Sequence, residues 1–135
     1  VIVGRRHPLM ARTDLTPQNL CNYQIAIPKL YPSLGRWLEH VTGAPLKPAL
    51  VGSDFYQIGE LLERADVYTV VSPGVYRRLK RFFDVVDIPM RGLDFEHRAH
   101  SIQASSRPLS GAARRIMALT NRLMVESLNM SPDQA

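Results

Sequence analysis

Short apolar segments closed by proline or glycine alternate with stretches of helical periodicity along most of this chain. That alternation limits the possible folds more than any single motif does. Val1, Ile2 and Val3 form a β-branched run of the kind buried between strands. "YQIAIP" (Tyr23 to Pro28) reads as a strand ended by proline. "LKPALVGS" reads as a strand with proline near its start, where a missing N–H is tolerated. "VYTVVSP" and "FFDVVDIP" are further strands, and "HRAHSIQAS" alternates as a strand with one buried face.

The intervening helices have their own signals. Leu34, Trp37, Leu38 and Val41 fall at i, i+3, i+4 and i+7 on one stripe, with Gly43 and Pro45 as stops. Ser53 or Asp54 caps "DFYQIGELLERA", whose Phe55, Ile58, Leu62 and Ala65 share a face. Gly59 lies inside that helix and weakens it, so close packing is expected there. Ser72 and Pro73 begin a basic helix through "GVYRRLKR". Ser110 caps a long closing helix with an inward stripe of Ala113, Ile116, Met117, Thr120, Leu123 and Met124. Nearer the start, "RRHPLMART" reads as a polar loop, and Thr16 before Pro17 opens a short helical turn to about Leu20.

Strands and helices in this order make βαβ units, with right-handed crossovers placing helices on both faces of a parallel sheet. The fold class expected is α/β: three layers, α/β/α, around a mostly parallel sheet. At 135 residues the chain suits one domain, or one lobe of a larger one.

Charge and cysteine content narrow the chemistry. A net charge of +5 would fit nucleic acid or acidic ligands, but the arginines are spread along the chain, which fits a solvated surface better. Cys21 is the single cysteine, so no internal disulfide or cysteine-based zinc site can form. Inside "NLCNY" it reads as a small buried hydrophobe, and a reducing compartment is its simplest home. No apolar run can span a bilayer and no signal-peptide pattern occurs, so the location expected is cytoplasmic, without a membrane partner.

The motifs of catalysis are missing. Neither G-x-x-x-x-G-K-[ST] nor G-x-G-x-x-G occurs, nor does H-E-x-x-H or G-x-S-x-G. His97 and His100 are three apart, which on a strand sends them to opposite faces. Asp84 and Asp87, around a valine pair, are likewise separated and read as strand-end charges. No enzyme, cofactor or metal site is expected.

What remains are helix starts at the carboxyl ends of parallel strands, where open α/β sheets bind ligands. "IAIPKLYPSLGR" fits best. Pro28 closes the strand, and the free N–H groups from Ser33 to Gly35 suit a carboxylate or phosphate. Lys29 would add charge, and Tyr31 an aromatic wall with a hydroxyl. The plainer reading is that Ser33 only caps its helix and Tyr31 packs outside. Both stand at this level.

Taken in order, a strand followed by "HPL", then "DLTPQNL", then strand, loop and "PSLGRWLEHVTG" resembles the second lobe of the effector-binding domain of LysR-type transcriptional regulators. "DIPMRG" followed by "HRAHSIQASSRPLSGAARRIMALTNRL" resembles that family's return strand, crossover and last helix. "LLERADVYTVVSP" departs from it, since Asp66 and Tyr68 stand where many members carry glycines. The resemblance covers nearly the whole chain, and the order and spacing of the motifs carry it.

It implies a two-lobed fold of the type 2 periplasmic-binding-protein kind, truncated here. Residues 1–90 would be the second lobe, and 91–128 the return strand and closing helix of the first; 129–135 would be a flexible tail. "VIVG" would then begin inside a strand because the chain is cut near a hinge, with a winged helix-turn-helix lying outside it. A small effector, expected to be a carboxylate, would sit between the lobes at Pro28, Lys29, Tyr31 and Ser33. The regulator would be a homodimer or tetramer, meeting DNA only through the absent helix-turn-helix. Phe55, Tyr56, Gly59 and Glu63 would face a partner subunit, although the periodicity of Phe55 points inward. The rival with the same fold is a solute-binding protein of a transport system, which an upstream signal peptide would reveal.

Overall fold

A computed structural model describes residues 1–29, 32–93 and 108–129. The strands are β1 (Ile2–Gly4), β2 (Gln24–Pro28), β3 (Pro48–Gly52), β4 (Val67–Thr69) and β5 (Val85–Asp87). The helices are α1 (Pro32–Thr42), α2 (Phe55–Arg64), α3 (Pro73–Leu79) and α4 (Gly111–Asn129). Two 3-10 turns, Pro8–Ala11 and Pro17–Asn22, lie between β1 and β2.

The five strands form one sheet in the order β3-β2-β4-β1-β5. β2 runs parallel to β3 and to β4, whereas β1 runs antiparallel to β4 and β5. Four strands therefore point one way and β1 the other. The expected α/β class and mostly parallel sheet are present.

Side chains alternate across the strands with a period of two, and this divides the core. Ile2, Ala26, Val67 and Val85 turn to one face, where Ile58 and Leu62 of α2 and Leu79 of α3 cover them. Val3, Ile25 and Tyr68 turn to the other, under Leu34 and Leu38 of α1 and Leu9 and Leu20 of the 3-10 turns. Helices thus cover both faces.

The local signals explain where these elements start and stop. Asp54, not Ser53, caps α2, its Oδ1 accepting the Tyr56 N–H at 2.8 Å. α1 ends before Gly43, whose φ of 73° suits a residue without a Cβ. Gly59 is buried with the Phe83 ring against it, which supplies the close packing that an interior helix glycine called for.

Four expectations need correction. "RRHPLMART" is not a polar loop, because Pro8–Ala11 form a 3-10 turn that buries Leu9 and His7. Ala65 does not share the buried face of α2; it is the exposed C-cap. "VYTVVSP" pairs only over Val67–Thr69, after which the chain leaves the sheet toward α3. The stripe on α4 is not inward either: Ile116, Leu123 and Met124 are exposed, and only Ala113 and Met117 are half-buried. Periodicity specifies an apolar face but not the element that covers it. Ser110 does cap α4, its Oγ accepting the Ala113 N–H at 3.2 Å.

The chain forms two compact units, Val1–Phe95 and Glu96–Ala135. The expected boundary at residue 90 lies a few residues earlier. The "HRAHSIQAS" strand, with His97 and His100, and the tail from residue 130 lie outside the described residues.

Candidate functional site

The sheet order creates a topological switch point. β2 and β4 are parallel neighbours, but the chain leaves them in opposite directions. From β2 it passes through α1 to the outer strand β3; from β4 it passes through α3, over the other face, to β5. Ligands of open α/β sheets bind outside the carboxyl ends of strands at such a switch point. Here those ends carry Pro28 and Lys29 on one side and Val70, Val71 and Ser72 on the other.

The ends of β2 and β4 are tied to each other. Thr69, the last residue of β4, is fully buried, and its Oγ1 donates to the Ala26 carbonyl of β2 at 2.7 Å. Pro28 is buried at the end of β2. Lys29 is exposed, but its backbone N–H donates to the Gly52 carbonyl of β3 at 2.8 Å, so only its ammonium remains for a ligand. Ser33 is exposed in the first turn of α1, one residue before the buried Leu34 that anchors that helix. The structure thus places Pro28, Lys29 and Ser33 at one end of the sheet; Tyr31 lies outside the described residues.

Val70 and Val71 are not singled out in the sequence, and Ser72 reads there only as the start of a helix. The signal was present, because "VYTVVSP" is a strand closed by serine and proline with a helix following. Only the strand order shows that it ends beside β2.

The remaining chemistry is structural. Tyr68 is buried, and burial above all pushes its phenol well above the usual tyrosine range, so it stays a neutral core group. Cys21 is half-buried, its Sγ set 3.5 Å from the Thr42 carbonyl, which is a packing role. Asp84 and Asp87 do not form a carboxylate pair: both are exposed, and Asp84 Oδ1 accepts from Arg5 Nε at 2.7 Å. That contact with Asp84 holds the Arg5 guanidinium above its usual range. Among the described residues no cluster of three or more His, Cys, Asp or Glu could hold a metal ion, and no helix is long and apolar enough to cross a membrane.

The four residues expected at a subunit contact have different surroundings. Phe55 packs against the core, and Glu63 Oε1 accepts the Asp84 N–H at 2.6 Å. Gly59 is covered by Phe83 from within the chain, so a partner cannot reach it. Glu63 is exposed too, and Tyr56 is the exposed aromatic of the four, 59% open with its ring edge-on to Phe83 at 4.9 Å.

His7 gives a pH test of the fold. Its Nδ1 accepts the Leu9 N–H at 3.1 Å, so the neutral ring carries its proton on Nε2, which is buried without a hydrogen-bond partner. Its ring lies 4.6 Å from that of Tyr23. Burial lowers its pKa below 6.5, outweighing the opposing pull of Asp66. The unfolded chain therefore takes up the proton first. Stability is fully present above pH 6.5 and falls as the pH drops below it. In urea titrations across this range His7→Asn, which can still accept the Leu9 N–H, is expected to lose most of the slope. An unchanged slope would show that His7 is not its source.

No protein-family model, curated protein or solved structure matches the chain.

Proposed function

We propose that this chain is the ligand-sensing and oligomerising part of a LysR-type transcriptional regulator, binding a small carboxylate effector. The observation that carries the reading is a coincidence of two independent lines. The loop where the family resemblance expects an effector falls at the carboxyl ends of β2 and β4, where the sheet changes direction.

The chemistry of this end favours a small anion. A helix start leaves its first N–H groups outside the helix's own hydrogen bonds, and with the helix dipole it favours negative charge by about 0.3–1 kcal/mol at the surface, and up to about 2 when partly buried. The Lys29 ammonium adds to that preference. In this reading the far side of the ligand is held by a companion lobe, and closure of the two lobes reports its presence.

The test uses the full-length protein and calorimetric titration with a panel of aromatic and sugar acids. Lys29→Ala combined with Ser33→Ala is expected to weaken the acid that binds by at least about tenfold, or about 1.4 kcal/mol. Unchanged affinity would remove these residues from the site. A signal peptide upstream, in place of a helix-turn-helix, would move the chain to the solute-binding class.

A further inference from the structure

Away from the switch point, a groove of about 330 Å3 lies between the start of α2 and the end of α3. Tyr56, Leu79, Phe82 and Phe83 wall it, and Asp54 and Arg78 stand on its rim. Phe82 is 68% exposed and Tyr56 59%, so two aromatic rings of one groove face water. Adjacent exposed aromatics with a polar rim mark interaction surfaces.

The charge of the rim indicates what would bind. Arg78 lines the groove and Lys80 and Arg81 follow it in the chain; all three are exposed, and no described carboxylate pairs with Arg78 or Arg81. Lys80 lies 5.9 Å from the Tyr76 ring centre. The carbonyl end of α3 accounts for some of this positive charge, but not for the aromatic walls beside it. Asp54, the carboxylate of the groove, is already occupied in capping α2. The groove is therefore apolar inside, with Asp54 and Arg78 in its lining and the further cations Lys80 and Arg81 in the adjoining segment.

We propose that this groove docks an acidic segment of a partner polypeptide, which inserts one bulky apolar side chain against Tyr56 and Phe82 while its carboxylates meet Arg78 and Arg81. The inference is independent of the effector site, and it takes Tyr56 out of the subunit contact that the family resemblance implies. The volume suits a single anchor side chain, as in other short-peptide recognition. A single-stranded nucleic acid would instead need cations tracking a backbone past successive stacking rings. Here the cations collect at one helix end.

The experiment is fluorescence anisotropy on the full chain with a labelled short peptide of glutamates around one central tryptophan. Salt-sensitive binding is expected, weakened at least about tenfold by Phe82→Ala and by Arg78→Glu. Both residues are exposed, and circular dichroism checks that the variants fold. Asp54→Asn keeps the helix cap and removes the negative charge of the groove, so it is expected to tighten binding. Four results would each overturn the proposal: no binding, equal binding of the peptide with alanine at its centre, equal binding of a thymidine oligonucleotide of the same charge, or self-association of the chain that Phe82→Ala abolishes.

Discussion

Gly4→Ala is expected to cost the Val1–Phe95 unit at least about 3 kcal/mol, at or beyond the upper end for overpacked sites. A Cβ on Gly4 would run into the carbonyl oxygen of Leu62, with the Leu62 carbonyl carbon at 3.0 Å and the Glu63 Cα at 3.5 Å. All three are backbone atoms of α2, so no rotamer change can make room. The helix must move off the sheet, taking Ile58 and Leu62 away from Ile2 and Val85. In a unit of this size each kcal/mol is worth roughly 4–8 °C, so the melting temperature should fall by more than about 10 °C. Gly74→Ala is the internal control: nothing lies within 4 Å of its Cβ position, and it sits in a helix, where alanine is favoured. Thermal melts that place Gly4→Ala level with that control would contradict the packing of β1 against α2.

The second large effect is at Gly59, where two terms of opposite sign compete. Alanine in place of an interior helix glycine gains up to about 1 kcal/mol of propensity. Against this, the new methyl would collide with the Phe83 ring, whose Cγ is 2.8 Å from the Cβ position. Phe83 is only 8% exposed and packs on the Tyr56 ring, so it cannot swing away freely. A net loss of about 1–3 kcal/mol is expected for Gly59→Ala. If the collision is the cause, Phe83→Leu should relieve it. The double variant is then expected to be more stable than the sum of the two singles by at least about 1 kcal/mol in urea unfolding. Strict additivity would show that Gly59 is there for another reason.

These two glycines show what could be read from the sequence. Gly59 was legible because it interrupts a clear helical stripe, and an interior helix glycine asks for a close neighbour; the neighbour itself, Phe83, was not. Gly4 carried no such signal, since its neighbour across the core comes from a helix nearly sixty positions later. The apolar runs fixed which segments become strands, but not their direction. Val1, Ile2 and Val3 look the same parallel or antiparallel, and only pairing shows β1 running against its neighbours. The candidate site was half legible for a similar reason. Local signals at Pro28 to Ser33 marked one wall, while the other, Val70 to Ser72, follows from strand order. The burial of His7 was hidden by two preceding arginines that made the segment read as polar.

The position of β1 also has a kinetic consequence. This strand lies inside the sheet, with Ile2 opposite Thr69 on one side and Asp87 on the other. The first segment of the sequence thus completes its pairing only after the last strand of its unit exists. Closing such distant contacts costs loop entropy before any burial compensates, and pairings of this kind slow folding. Until it docks, β4 and β5 present open edges that another chain could fill. With β1 in place between them, both of those edges are closed.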